Sequence, residues 1–127
     1  MASLPDSVRE AWEDRDGPVI LATVDADGVP NIIYASCVSA FGDDRLVVAD
    51  NYFDKTRRNL LNGAGKKGSL LFRCKKGKAY QVKGTLEYHK DGEVFENMKA
   101  WNPLKHPGHA AAALRIEEVY SGAEKLC

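Results

Sequence analysis

The sequence predicts a mainly β domain with minor helix, a small antiparallel barrel of six strands. Three observations carry that reading. Residues 19–24, 30–41, 45–50, 69–74, 79–89 and 110–121 form runs rich in β-branched, aliphatic and aromatic residues. The turn signals "DADG", "GDD" and "KKGK" separate several of these runs, as hairpins require. The order is helix, three strands, helix, two strands, helix, strand, and this lacks the alternation of a parallel, doubly wound sheet.

Ser3 is placed to cap the first helix, with Asp6 three residues on as an imperfect capping box. Leu4, Val8, Ala11 and Trp12 then share one helical face, and "DRDGP" ends the helix. Residues 19–24 are the first strand, and 30–41 read as one long partner strand across the "DADG" turn. The third strand, 45–50, ends in Asp50. Asp54 is the expected N-cap of a short helix over 55–62, with Gly63 as its stop. Strands 69–74 and 79–89 pair across "KKGK", and Gly84 marks a bulge or a close approach of another group. The helix over 92–101 carries Val94, Phe95, Met98 and Trp101 on one face. After the loop "NPLKHPGH", residues 110–121 form the last strand.

Composition narrows the function. The 127 residues suit one domain spanning 1–127, and 44% apolar content allows a packed core. Lys and Arg (18) balance Asp and Glu (18), so no global field favours nucleic acid. No apolar run reaches the length of a membrane span. The polar N-terminus does not resemble a signal peptide, and three cysteines without a C-x-x-C pair fit reduced thiols, so a cytoplasmic protein is expected. His106 and His109 have no third ligand at metal spacing and read as loop residues. Cys37 and Cys74 read as small core residues, and Trp12 and Trp101 as packing residues. The nucleophile-elbow, zinc-protease and P-loop motifs are absent.

The stretch "DKTRRNLLNGAGKKG" (54–68) contains two phosphate signals. Gly63, Gly65 and Gly68 match G-x-G-x-x-G, but a helix precedes them and a strand follows. The glycines thus meet a helix C-terminus, whose dipole repels anions. At the helix start, Lys55, Arg57 and Arg58 oppose the macrodipole. A docked anion would reverse that sign and take the free N–H groups, the Thr56 hydroxyl and the Lys55 ammonium as donors. The residues leave two readings open here, a phosphate site or a solvated basic face.

"VILATVDADGVPNIIYAS", "RLVVADNYFDKTRRNL", "YQVKGTLEY" and "LRIEEVYSG" together resemble the FMN-binding split-barrel proteins related to pyridoxamine 5′-phosphate oxidase. The likeness spans residues 8–121 and is greatest to the small FMN-binding members. Its most specific part is the strand ending at Asp50 followed by Lys55, Thr56 and Asn59. The resemblance implies a six-stranded antiparallel Greek-key split barrel that forms a homodimer, with FMN at the interface. It implies that Lys55 and Thr56 hold the phosphate and that Ile33, Tyr34, Ala35 and Ser36 run beside the isoalloxazine. Val48, Ala49, Asp50 and Asn51 would flank the ring and ribityl chain, and Trp101 would approach from the partner subunit. The implied activity is that of a flavin-dependent oxidoreductase on a small-molecule substrate; the alternative is an electron carrier serving a redox partner. Relatives of this size also bind a deazaflavin or haem. The ending "AEKLC" carries no arginine-rich segment like that of the true oxidase, so the resemblance does not extend to pyridoxamine phosphate as substrate.

Overall fold

The computed structural model of the chain describes residues 2–63 and 66–127. Its elements are α1 (Asp6–Glu13), β1 (Val19–Val24), β2 (Pro30–Ala35), β3 (Val38–Phe41), β4 (Arg45–Asp50), α2 (Lys55–Asn62), β5 (Lys67–Arg73), β6 (Ala79–His89), α3 (Gly92–Trp101), β7 (Ala110–Ser121) and β8 (Glu124–Lys125). All strand pairings are antiparallel. The sheet runs β2-β1-β5-β6-β7-β4-β3, with β8 added to β7.

That order forces curvature. β2 and β3 lie at opposite ends of the sheet, yet only Ser36 and Cys37 separate them in the chain. Three Cα steps reach at most about 11 Å. The sheet therefore curls until its two edges nearly meet, which is the split barrel. The long strand expected over 30–41 is thus two strands on two sides of the molecule. Together with the short β8, this raises the count above the expected six.

The interior is filled by alternate residues. Val19 and Leu21, Leu70 and Phe72, Val82 and Leu86, Leu114 and Ile116, and Leu46 and Val48 all point inward and are fully or nearly fully buried. α1 closes this core with Val8, Ala11 and Trp12, and the Trp12 indole meets Phe72 edge-on at 5.1 Å. Pro5, not Ser3, precedes the first helical residue, and no side chain caps α1. The Pro5 ring fixes a φ of −57°, which prepares the chain for helix entry without a hydroxyl cap.

β4 and β7 are buried on both faces because α3 lies against their outer side. Val94 and Met98 of α3 pack on Val47, Ala49, Ala111 and Ala113. The alanine run 110–113 is what allows this: small side chains let a helix approach the sheet closely. Phe95 and Trp101 flank the same contact, half-buried.

Two glycines are dictated by close approach. At Gly84 the β6–β7 register shifts, with Gly84 opposite Ile116 and Lys83 opposite Glu118. A Cβ on Gly84 would collide with the Arg115 carbonyl oxygen. At Gly63 a Cβ would strike the carbonyl oxygens of Asn59 and Val24. Gly63 has extended backbone, not a left-handed cap, and its N–H donates to the Asn59 carbonyl at 2.7 Å. Of the G-x-G-x-x-G match, Gly65 lies outside the described residues and Gly68 sits within β5.

Gly84→Ala is expected to lower folding stability by about 2 kcal/mol or more, since the obstructing atom is backbone that cannot rotate away. Urea denaturation of the variant against the wild type measures this; an unchanged midpoint would contradict the bulge geometry.

Candidate functional site

An open groove of about 430 Å³ runs between the β2 edge, the end of β4, the start of α2 and the loop after α3. Asn31, Ile33, Tyr34 and Ala35 come from β2, and Ser36 and Cys37 from the break where the barrel nearly closes. Ala49 and Asn51 come from the end of β4, followed by Tyr52 and Phe53, then Asp54, Lys55 and Thr56. His106 reaches in from the loop after α3.

Asp50 fixes the floor of this arrangement. Its side chain is fully buried, and Arg57 grips it from the first turn of α2 with Nε at 2.7 Å and Nη2 at 2.9 Å. The Tyr88 hydroxyl from β6 and the Phe53 N–H donate to the same carboxylate. Burial pushes the Asp50 carboxyl up, but the Arg57, Tyr88 and Phe53 donors outweigh it and hold it below the usual carboxylate range. Burial, then the hydrogen bond to Asp50, push the Tyr88 hydroxyl up to about 12. Arg57 is raised above its ordinary value, chiefly by its hydrogen bond to Asp50.

This accounts for two of the three cations at the helix start. Arg57 belongs to Asp50, and Arg58 lies 3.7 Å from the exposed Asp54 carboxylate. Asp54 occupies the expected N-cap position of α2, but its side chain makes no cap hydrogen bond. Among the described residues, no ion pair or hydrogen bond engages the Lys55 ammonium, which is exposed at the groove. Thr56 is buried, and its hydroxyl oxygen accepts from the Asn31 amide at 3.1 Å, leaving the hydroxyl hydrogen to donate. Asn59, one turn on, donates to the buried Thr23 hydroxyl at 2.9 Å and ties α2 to β1.

The loop after α3 is stapled just as firmly. Asn51 and Asn102, both buried, exchange amide hydrogen bonds at 3.1 and 2.9 Å. Gly108 N–H donates to Asn51 Oδ1 at 2.9 Å, and His109 N–H to the Asp50 carbonyl at 2.8 Å. The Tyr52 hydroxyl lies 3.1 Å from His106 Nδ1, with the two rings near perpendicular.

The residues singled out from the sequence divide between the groove and its surroundings. Ile33, Tyr34, Ala35, Ser36, Ala49, Asn51, Lys55 and Thr56 line the groove. Val48 points into the barrel core and Asp50 into its ion pair, because neighbouring strand residues face opposite sides. Trp101 lies on the α3 packing face, its indole N–H donating to Asn97. Asn31, Cys37, Tyr52, Phe53, Asp54 and His106 also line the groove, and the sequence reading did not place them there. His106 carried one usable signal, a position in a glycine- and proline-rich loop, which is where site residues concentrate. Among the described residues no cluster of His, Cys, Asp or Glu could hold a metal, and no helix is long and apolar enough to cross a membrane.

Residues 4–121 match the sequence profile of the pyridoxamine 5′-phosphate oxidase family. An uncharacterized protein of Methanocaldococcus jannaschii, MJ0282, is 36% identical over 110 residues, 81% of this chain and 71% of that protein. The crystal structure of HupZ from Group A Streptococcus superposes with a TM-score of 0.80 at 22% identity, covering 93% of each chain. That of an FMN-binding protein from Syntrophomonas wolfei gives 0.73 at 23% identity, covering 94% of this chain and 97% of the other. Two further structures share the fold at 18% identity: an F420 reductase (TM-score 0.68, covering 92% of this chain and 98% of the other) and the heme storage protein HutZ from Vibrio cholerae (0.66, covering 94% and 95%). The chain belongs to the pyridoxamine 5′-phosphate oxidase family, and its fold is that family's split barrel.

Arg57→Ala is expected to cost about 3 kcal/mol, because it strands a buried carboxylate, whereas Asp50→Asn should cost less. The depressed Asp50 value means the unfolded chain binds this proton more readily. Its contribution is therefore present above about pH 4 and lost as pH falls through the folded value. Urea titrations at descending pH should find a shallower acid loss of stability in Asp50→Asn than in wild type; parallel curves would contradict the assignment.

Proposed function

We propose, taking family membership as the premise, that this chain is an FMN-binding flavoprotein acting as an oxidoreductase on a small molecule. One observation carries the reading. With Arg57 and Arg58 paired internally, Lys55 and Thr56 are, among the described residues, the side chains at the N-terminus of α2 left to donate, and both residues line the groove. That is a phosphate-sized anion site, built from a cation, a hydroxyl and the free N–H groups of a helix start.

The groove fits the rest of such a ligand. Its volume is within the range of small-molecule sites, roughly 300–1,000 Å³. Its walls combine apolar Ile33, Ala35, Ala49 and Phe53 with edge-strand backbone suited to hydrogen-bonding a heterocycle. When bound, the flavin supplies hydride or single-electron chemistry, and the chain's part is to seat, orient and shield it. The oxidase family and the FMN-binding protein of S. wolfei support FMN as the occupant. The F420 reductase and HutZ name the two competitors, a deazaflavin and haem. A proposed phosphate pole with, among the described residues, one unpaired cation in Lys55 favours a phosphorylated flavin over haem.

The same reading includes a homodimer. Tyr34, Ile20 and Leu71 stand opposite one another across β2, β1 and β5, with Ile32 beside them. Ile32 and Tyr34 are 68% and 76% exposed on an edge strand, an uncovered apolar row on a polar chain. Tyr34 also lines the groove, so a second copy seated on this row would roof the site.

Purified protein is expected to be yellow, with FMN identified by mass after denaturation; release of a deazaflavin, of haem or of nothing would displace the FMN assignment. Lys55→Ala combined with Thr56→Ala should weaken FMN by a hundredfold or so while leaving riboflavin within a few fold, the loss of two charge-assisted contacts. Equal losses for both ligands would place the phosphate elsewhere. Sedimentation should find dimers in wild type and monomers in Ile32→Asp.

A further inference from the structure

His106 is a loop residue by sequence, yet the fold holds it as if for a purpose. The loop that carries it is secured at both ends by buried amides, through the Asn51–Asn102 exchange and the Gly108 N–H bond to Asn51. Lys99 adds a bond to the Pro107 carbonyl at 2.9 Å, and the His106 N–H donates to the Pro103 carbonyl at 3.0 Å. Surface loops are ordinarily the mobile parts of a fold, and this one is tied down beside a groove. The imidazole itself is oriented by Tyr52, which meets Nδ1 at 3.1 Å and packs edge-on at 5.5 Å. Among the described residues nothing engages Nε2, and His106 lines the same groove as Lys55 and Thr56.

An imidazole with one nitrogen bonded to a hydroxyl and the other unengaged, on a residue that lines a groove, is the arrangement that sets a tautomer for recognition. When the Tyr52 hydroxyl donates to Nδ1, the proton sits on Nε2 and that nitrogen becomes a donor. We propose that His106, oriented by Tyr52, hydrogen-bonds through Nε2 to a carbonyl or ring-nitrogen acceptor on the heterocycle in the groove, and that its protonation makes ligand affinity pH-dependent. This rests on the flavin reading above. Tyr52 is a positioning residue; His106 makes the contact.

The other titratable groups around the groove are Tyr34 on β2, Cys37 at the β2–β3 break, Tyr52 after β4, and Asp54 and Lys55 at the start of α2, with Lys105 beside His106 on its own loop. Of these side-chain types, imidazole is the one that ordinarily changes charge between about pH 5 and 8. A charged donor makes the stronger bond, so the contact should tighten as pH falls.

The test is the titration of flavin-free protein with riboflavin, followed by flavin fluorescence, at about pH 5.5 and about pH 8. Riboflavin has no phosphate, so titration of the ligand's own phosphate does not enter. Wild type should bind about fivefold tighter at the lower pH. His106→Gln keeps a neutral donor and should bind as wild type does at the higher pH, with the pH dependence gone. Tyr52→Phe should weaken binding at both pH values while the pH dependence persists, because the imidazole remains but is no longer aimed. Binding in wild type that is indifferent to pH, or a pH dependence that survives in His106→Gln, overturns the inference while leaving the flavin reading intact. Failure of wild type to take up either riboflavin or FMN overturns both.

Discussion

Asp50 is a carboxylate with no exposed surface, and the site is organised around satisfying it. A buried charge of this kind is tolerable only when paired and fully hydrogen-bonded. The partners come from three parts of the chain: Arg57 on α2, Tyr88 on β6 and the Phe53 backbone. Meeting that requirement sets the angle at which the chain leaves β4 and the rotation of α2 about its axis. With Arg57 turned down to the carboxylate, Lys55 and Thr56 are left at the groove. The proposed anion pole would therefore be a consequence of the ion pair beneath it, even though Asp50 does not line the groove.

The second constraint is topological. A sheet whose first and last strands are joined by two residues must curl, and the join becomes the rim of a cleft. Ser36 and Cys37 are the residues at that rim, and they line the groove for that reason. Curling also leaves β2 as an edge with its outer face free, which is where the apolar row of Ile32, Tyr34, Ile20 and Leu71 accumulates. Closure of the barrel, the cleft and the uncovered face thus share one cause.

Much of this was legible in the sequence. The helices over 55–62 and 92–101 and the strands 19–24, 45–50, 79–89 and 110–121 fall where their patterns place them. What misled was continuity. Residues 30–41 read as one strand because Ala35 to Val38 contains no glycine or proline to announce a break; the break comes from long-range pairing to β1 on one side and β4 on the other. Ser3 does not stand at the helix start, and Asp54 stands at the N-cap position without a side-chain bond, for a similar reason. Both side chains could cap, but Pro5 already sets the first helix entry, and Asp54 stands exposed beside Arg58. His106 carried little signal because its placement depends on Asn51 and Asn102, fifty-one residues apart in the chain.

The basic start of α2 looked like an electrostatic error that a bound anion would correct. The structure divides that error into parts. Arg57 answers an internal anion, and Arg58 has a weak exposed partner that solvent largely screens. Lys55 alone retains the mismatch with the helix dipole. A single uncompensated ammonium is a smaller signal than three, but a more specific one, because it stands next to Thr56, whose buried hydroxyl accepts from Asn31 and which lines the same cleft. Solvated basic faces do not need a buried hydroxyl beside them. The internal pairing of Arg57, which at first removes evidence for an anion site, therefore isolates the two side chains on which the proposed site rests.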